Sequence, residues 1–151
     1  MATVDESKIT LEVRRVLAAP VAAVYRTWTE PELARRWSWG RNYDTVGIEL
    51  DCRVGGVWRQ HVRDRTNGTN WFFEGVFQEI VPNKKLVHTF HFKNDRGEDE
   101  ESSLVEIEFR DLGGRTEVVI THSQLAADKK AGTTEGWTDC CDCVETVAKT
   151  I

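Results

Sequence analysis

Nowhere in the 151 residues does an apolar run approach the ~20 that a bilayer-spanning helix needs. Residues 1–8 are polar and lack the apolar core of a signal peptide. Surplus positive charge is missing too: 20 Lys and Arg stand against 25 Asp and Glu, a formal net charge of −5. Nucleic acids and anionic membranes both call for a basic surface, so neither is expected as a partner. There is no linker, internal repeat or low-complexity segment. Nor is there a nucleophile elbow, or a Cys and a His at the spacing of a known dyad. Lacking an export signal, the chain is expected in the cytoplasm, where Cys52, Cys140, Cys141 and Cys143 remain reduced thiols.

What is present reads as globular protein, with 40% hydrophobic and 30% charged residues. The expected organisation is one domain over residues 8–151, preceded by a flexible segment over residues 1–7. In residues 8–18 the apolar Ile9, Leu11, Val13 and Leu17 share one parity, which predicts a strand with one buried face. Pro20 suits a first helical position, and Val21, Val24, Tyr25 and Trp28 then form an apolar helical stripe. Pro31 opens a second short helix that buries Leu33 and Trp37. From Tyr43 to Leu125 the period is two. Strands are predicted over residues 44–51, 57–65, 71–80, 86–92, 104–109 and 115–123. Turn signals such as Gly55-Gly56, Asn67-Gly68 and Gly113-Gly114 separate them. Short turns make these neighbours antiparallel, and the first strand is expected to pair with the last, for seven in all. The acidic run 98–101, after a turn-rich stretch, reads as a solvated hairpin tip. A final helix starting near Thr134 carries Trp137, Cys140, Cys141, Val144, Val147, Ala148 and Ile151 on one stripe.

One face of this sheet is polar, and the other carries Trp58, Val62, Leu86, Phe90, Val105, Ile107 and Ile120. The apolar face must be covered, yet a helix is only ~10 Å wide and seven strands at ~4.8 Å span over 30 Å. The sheet must therefore curl around the helix, and incomplete filling leaves a cavity.

Several short motifs occur in order along the chain. They are Arg15-Val16-Leu17-Ala18-Ala19-Pro20, the stretch from Val24 to Leu33, Arg36-Trp37, and Gly55-Gly56-Val57-Trp58-Arg59. Gly75 to Pro82, Leu86-Val87, Thr121-His122 and Gly136-Trp137 continue the series. Together they resemble the heat-shock protein 90 ATPase activator-homologue family of the START-like, helix-grip superfamily. The resemblance implies an α+β fold, β-α-α-β6-α, with a curved antiparallel sheet wrapped around a long C-terminal helix. It also implies a range of roles: superfamily members bind hydrophobic ligands, cyclise polyketides or regulate a chaperone.

The leading expectation is a non-catalytic protein that binds a small hydrophobic or amphipathic ligand between sheet and C-terminal helix. The alternatives are a cyclase- or hydratase-type enzyme using the same cavity, and a stress-related chaperone regulator. The eukaryotic co-chaperones carry an additional N-terminal domain, and here seven residues precede the first strand, which counts against the last role. Strand alternation places Gln60 and Val62 beside Trp58, His88 beside Phe90, and His122 beyond Ile120. The expected lining is therefore Trp58, Gln60, Val62, His88 and Phe90, with Trp39 at the mouth. Ile107, His122, Trp137 and Cys141 complete it. Gln60, His88 and His122 would orient a ligand, or else be satisfied inside the core. His61 and His91, of opposite parity, are expected to face solvent.

No residue is assigned a catalytic role, because within their own strands no carboxylate shares the parity of His88 or His122 to orient them. The C-x-x-C of Cys140 to Cys143 lies mid-helix, far from the N-terminal field that activates redox thiols, and reads as packing. Neither a metal nor a cofactor is expected. The protein is expected to be a monomer, or a homodimer through Trp71 and Phe73.

Overall fold

The structure, a computed structural model, describes residues 7–37 and 39–151. Apart from Ser7, the expected flexible segment lies outside the described residues. Strand β1 (Lys8–Leu17) leads into helices α1 (Val21–Thr29) and α2 (Pro31–Ala34). Six strands follow: β2 (Tyr43–Leu50), β3 (Val57–Asp64), β4 (Asn70–Val81), β5 (Lys85–Asn94), β6 (Ser103–Asp111) and β7 (Thr116–Ala126). A single 3₁₀ turn (Ala127–Lys129) then enters the long helix α3 (Lys130–Ala148).

The sheet order is β1-β7-β6-β5-β4-β3-β2, antiparallel throughout, so the first strand pairs with the last. This is the α+β helix-grip fold: a curved seven-stranded sheet around a C-terminal helix. Its curvature has local causes. Register shifts interrupt β1 between Ile9 and Leu11, β2 between Thr45 and Gly47, and β4 between Phe77 and Glu79. At Gly75 the backbone passes so close to β5 that a Cβ would lie 1.9 Å from the Thr89 carbonyl oxygen, which only glycine permits.

Pro20 precedes α1 with φ −65°, and its carbonyl accepts the Val24 N–H at 3.1 Å. The α1 stripe buries Ala23, Val24, Thr27 and Trp28. Trp28 packs on Trp37 and edge-on to Phe109, with ring centroids 5.8 and 5.7 Å apart. Leu17, Val24, Ile107, Ile120 and Val144 are completely buried here. Each is worth about 1.5–3 kcal/mol relative to exposure.

Strand ends differ from expectation by up to three residues, and helix α2 stops at Ala34, so Trp37 is buried from the loop that follows it. The last helix differs at both of its ends. Helix α3 begins at Lys130 rather than near Thr134, because the Thr134 hydroxyl donates back to the Lys130 carbonyl at 2.7 Å instead of capping a new start. At the other end Ile151 lies past the last turn and is exposed, so it does not share the buried stripe. The helix runs about 28 Å, and its Cys140, Cys141, Val144, Val147 and Ala148 are buried. Glu145 accepts the Ala18 backbone N–H at 2.8 Å, and Asp142 pairs with Arg15, so this half of α3 is tied to the end of β1. No helix among the described residues is long and apolar enough to cross a membrane.

Candidate functional site: an aromatic cavity under the first turns of the last helix

Period-two alternation sends Val62 of β3, Trp71 and Phe73 of β4, and Phe90 and Phe92 of β5 to the inner face. The first turns of α3 cover that region with little bulk, since Gly132, Thr133 and Gly136 face it. Between them lies a cavity of about 380 Å³. Trp39, from the loop after α2, stacks on Phe73 at 5.0 Å and meets Trp137 edge-on at 4.8 Å. Around the opening stand Glu98, Asp128, Lys129, Glu135 and Asp139, with Tyr43 beside them.

Of the ten expected lining residues, Trp39, Val62, Phe90 and Trp137 border this cavity. Trp58 and His88 border a separate recess of about 10 Å³, room for no more than a water. Ile107 and Cys141 are completely buried in the close-packed part of the core, where neighbouring strands and α3 leave no space. Gln60 and His122 are buried as well, and each has a different task.

Gln60 Oε1 accepts the Trp39 Nε1–H at 2.9 Å, and Gln60 Nε2 donates to Thr45 Oγ1 at 3.3 Å. Thr45 in turn donates to the Trp37 carbonyl at 2.8 Å. His122 Nδ1 accepts the Trp137 Nε1–H at 3.0 Å, so the ring proton sits on Nε2, which donates to Ser103 Oγ at 2.7 Å. Ser103 passes the chain on to the Phe90 carbonyl at 3.1 Å. Two relays of the same design thus hold the two cavity tryptophans. Gln60 and His122, two of the three polar residues expected in the lining, hold the cavity wall.

Burial pushes His122 down to about 3, with repulsion from His88 adding to it. His88 is pushed down to about 4 by burial, against the hydrogen bond it donates from Nδ1 to the Thr89 carbonyl at 2.7 Å. Both imidazoles are therefore neutral near pH 7, with no charge available for acid catalysis. Burial likewise drives the Cys141 thiol up to about 12 and Cys140 well above its ordinary value. These are protonated packing groups.

The rim behaves differently. Asp139 is raised by partial burial and then by the negative charges of Glu135 and Asp142, with Arg15 opposing. Tyr43 is raised by burial and by Asp64, Glu135 and Asp139. Glu98, expected at a solvated tip, belongs to this rim because the tip folds over to meet the 3₁₀ turn, where Lys129 pairs with Glu98 at 3.2 Å and Glu100 at 3.3 Å. Trp71 and Phe73, offered as exposed dimer contacts, are half-buried and line the cavity, and Phe72 between them faces outward. Sequence reasoning did not collect Trp71, Phe73, Phe92 or Tyr43, the helix residues Gly132, Thr133 and Gly136, or the charged rim.

His61 and His91 lie on the outer face, where an open depression of about 450 Å³ crosses β2 to β5. It is larger than the inner cavity, but it lies on the outer side of the sheet, with no helix among the described residues over it, and Arg59 pairs with Glu49 and Glu74 along its wall.

Similarity to known proteins agrees with the fold. No match was found among the curated proteins. Among solved structures, a putative uncharacterized protein from Rhizobium leguminosarum superposes with TM-score 0.82 at 27% identity, over 95% of this chain and 96% of that one. A Chromobacterium violaceum protein gives TM-score 0.80 at 21% identity, over 92% and 96%. An AHSA1-like protein from Aeromonas hydrophila gives 0.74 at 21%, over 94% and 93%. The family model for Activator of Hsp90 ATPase homolog 1-like protein matches residues 18–149. With nearly every element of the grip inside that match, the chain belongs to the Activator of Hsp90 ATPase homolog 1-like family.

Proposed function

We propose that this protein binds a small hydrophobic or amphipathic molecule in the aromatic cavity beneath α3. The observation that carries the reading is the cavity itself, about 380 Å³ and walled by Trp39, Trp71, Phe73, Phe90, Phe92 and Trp137. That volume falls in the usual range of ~300–1,000 Å³ for small-molecule sites, which combine apolar walls with a few polar groups. Preorganisation supports it further, because relays through Gln60 and His122 hold two walls in place without a ligand. The same cavity would serve a cyclase or hydratase, but the buried histidines supply no acid or base to it. The expected setting is the cytoplasm.

Gly136 provides the test. Its Cβ position lies 3.8 Å from Trp39 and faces the cavity, so Gly136→Leu fills the site. Leucine also suits a helix interior better than glycine, by about 0.5–1 kcal/mol, so the variant should stay folded. Native mass spectrometry of the purified protein should show a bound small molecule that the Gly136→Leu variant lacks. Equal occupancy in both proteins would sink the assignment to this cavity.

The family description favours a second reading, regulation of a heat-shock protein 90 ATPase. Stimulation of that ATPase by the purified protein would support it, and an unchanged turnover rate would remove it.

A further inference from the structure

Resting on the ligand-binding reading, the chemistry of the wall and rim narrows the class of ligand. Two features point the same way. First, the indole N–H groups of Trp39 and Trp137 are spent inside the protein, on Gln60 Oε1 at 2.9 Å and His122 Nδ1 at 3.0 Å. Neither can donate to a carbonyl, carboxylate or phosphate in the cavity. What these two side chains offer is their π systems, and aromatic faces attract cations.

Second, the opening carries four carboxylates, Glu98, Asp128, Glu135 and Asp139, against one ammonium, Lys129. Among the described residues only Glu98 of these four has a salt-bridge partner, and that partner is Lys129 itself. Glu135 and Asp139 stand four apart on α3, an arrangement in which like charges repel and weaken a helix. Partial burial first, and then Glu135 and Asp142, raise the Asp139 carboxyl above its ordinary value, in line with that geometry. A positive charge seated at the opening would relieve it. Carboxylates are acceptors only and here outnumber the one ammonium, so the net charge where a ligand enters favours a cationic head over an anionic one.

We infer that the cavity takes a hydrophobic cation: an organic ammonium whose apolar body lies among the aromatic rings and whose charge sits between the ring faces and the carboxylate rim.

Calorimetric titration with three probes of matched size tests this. They are benzyltrimethylammonium, its uncharged carbon isostere neopentylbenzene, and the anion 4-phenylbutyrate. The ammonium should bind about tenfold or more tightly than the isostere, and the anion weakest. Affinity for the ammonium should fall as salt is added. Asp128→Asn combined with Glu135→Gln removes two exposed charges that folding does not need. The double variant should bind the ammonium about fivefold less tightly or weaker, and leave the isostere unchanged. Equal or tighter binding of the isostere or the anion would overturn the charge assignment and leave the cavity reading standing. So would a double variant that holds the ammonium as tightly as the parent. Failure of all three probes to bind would overturn both.

Discussion

The two halves of α3 face the same sheet and do opposite things. From Cys140 to Ala148 the helix buries a stripe of small apolar side chains, Cys140, Cys141, Val144, Val147 and Ala148, against the end of β1 and the underside of α1. From Gly132 to Asp139 it is glycine, threonine and carboxylate, with Trp137 as the one large buried anchor. The sheet beneath is no less apolar in the second region. The difference lies in the cover, which shows that the void comes from what the helix withholds, not from a gap in the sheet.

The strongest attempt to break this contrast compares large-to-small changes at its two ends. Ile120→Ala, in the closed end, should cost about 3 kcal/mol, since nothing can collapse into the space. Phe73→Ala already faces an opening and should cost no more than about half of that, read from urea midpoints. Equal losses would mean the two ends are packed alike.

His122→Ala comes next. It strands the Trp137 indole N–H and the Ser103 hydroxyl together, a loss of about 2–3 kcal/mol. Ligand affinity should fall with it, because the Trp137 ring loses its tether.

A third measurement uses pH. His88 and His122 are lowered to about 4 and about 3, whereas an unfolded histidine titrates near 6.5. Between those limits the unfolded chain holds more protons than the folded one, so stability rises with pH. The contribution is fully present above about 6.5 and is lost as pH falls towards 4 and then 3. Urea midpoints between pH 7 and pH 5 should therefore drop, and the drop should be shallower in His88→Gln.

Smallest of all, Arg59→Ala on the outer face should leave the urea midpoint nearly unchanged. It removes only exposed pairs with Glu49 and Glu74. A larger loss would show that the outer charges hold the sheet's curvature.

Most of the fold was legible because alternation and turn residues are local signals. Ile9 to Leu17 and Val105 to Phe109 declare their buried faces by parity alone. The cavity was legible only in part. Trp39, Val62, Phe90 and Trp137 could be collected because each adjoins a clear stripe or a turn. Trp71-Phe72-Phe73 could not be sorted, since three consecutive aromatics carry no parity. The rim escaped because it joins Glu98 to Asp128, thirty positions apart in sequence and brought together by tertiary folding. Gly132 and Gly136, spaced to share one helix face, were readable in principle. They were missed because Thr134 reads as a cap and instead bonds to the turn behind it. The roles of Gln60 and His122 depended on which atoms their neighbours present, and period-two reasoning fixes only the side of the sheet.

The tethered tryptophans give the protein an optical consequence. Indole emission shifts with the polarity around the ring, and Trp39, Trp71 and Trp137 all border one small space. Two of the three are locked against solvent exchange at nitrogen by internal acceptors. The state of the cavity is therefore written into the colour of the protein's own fluorescence, readable without a label at the moment anything enters.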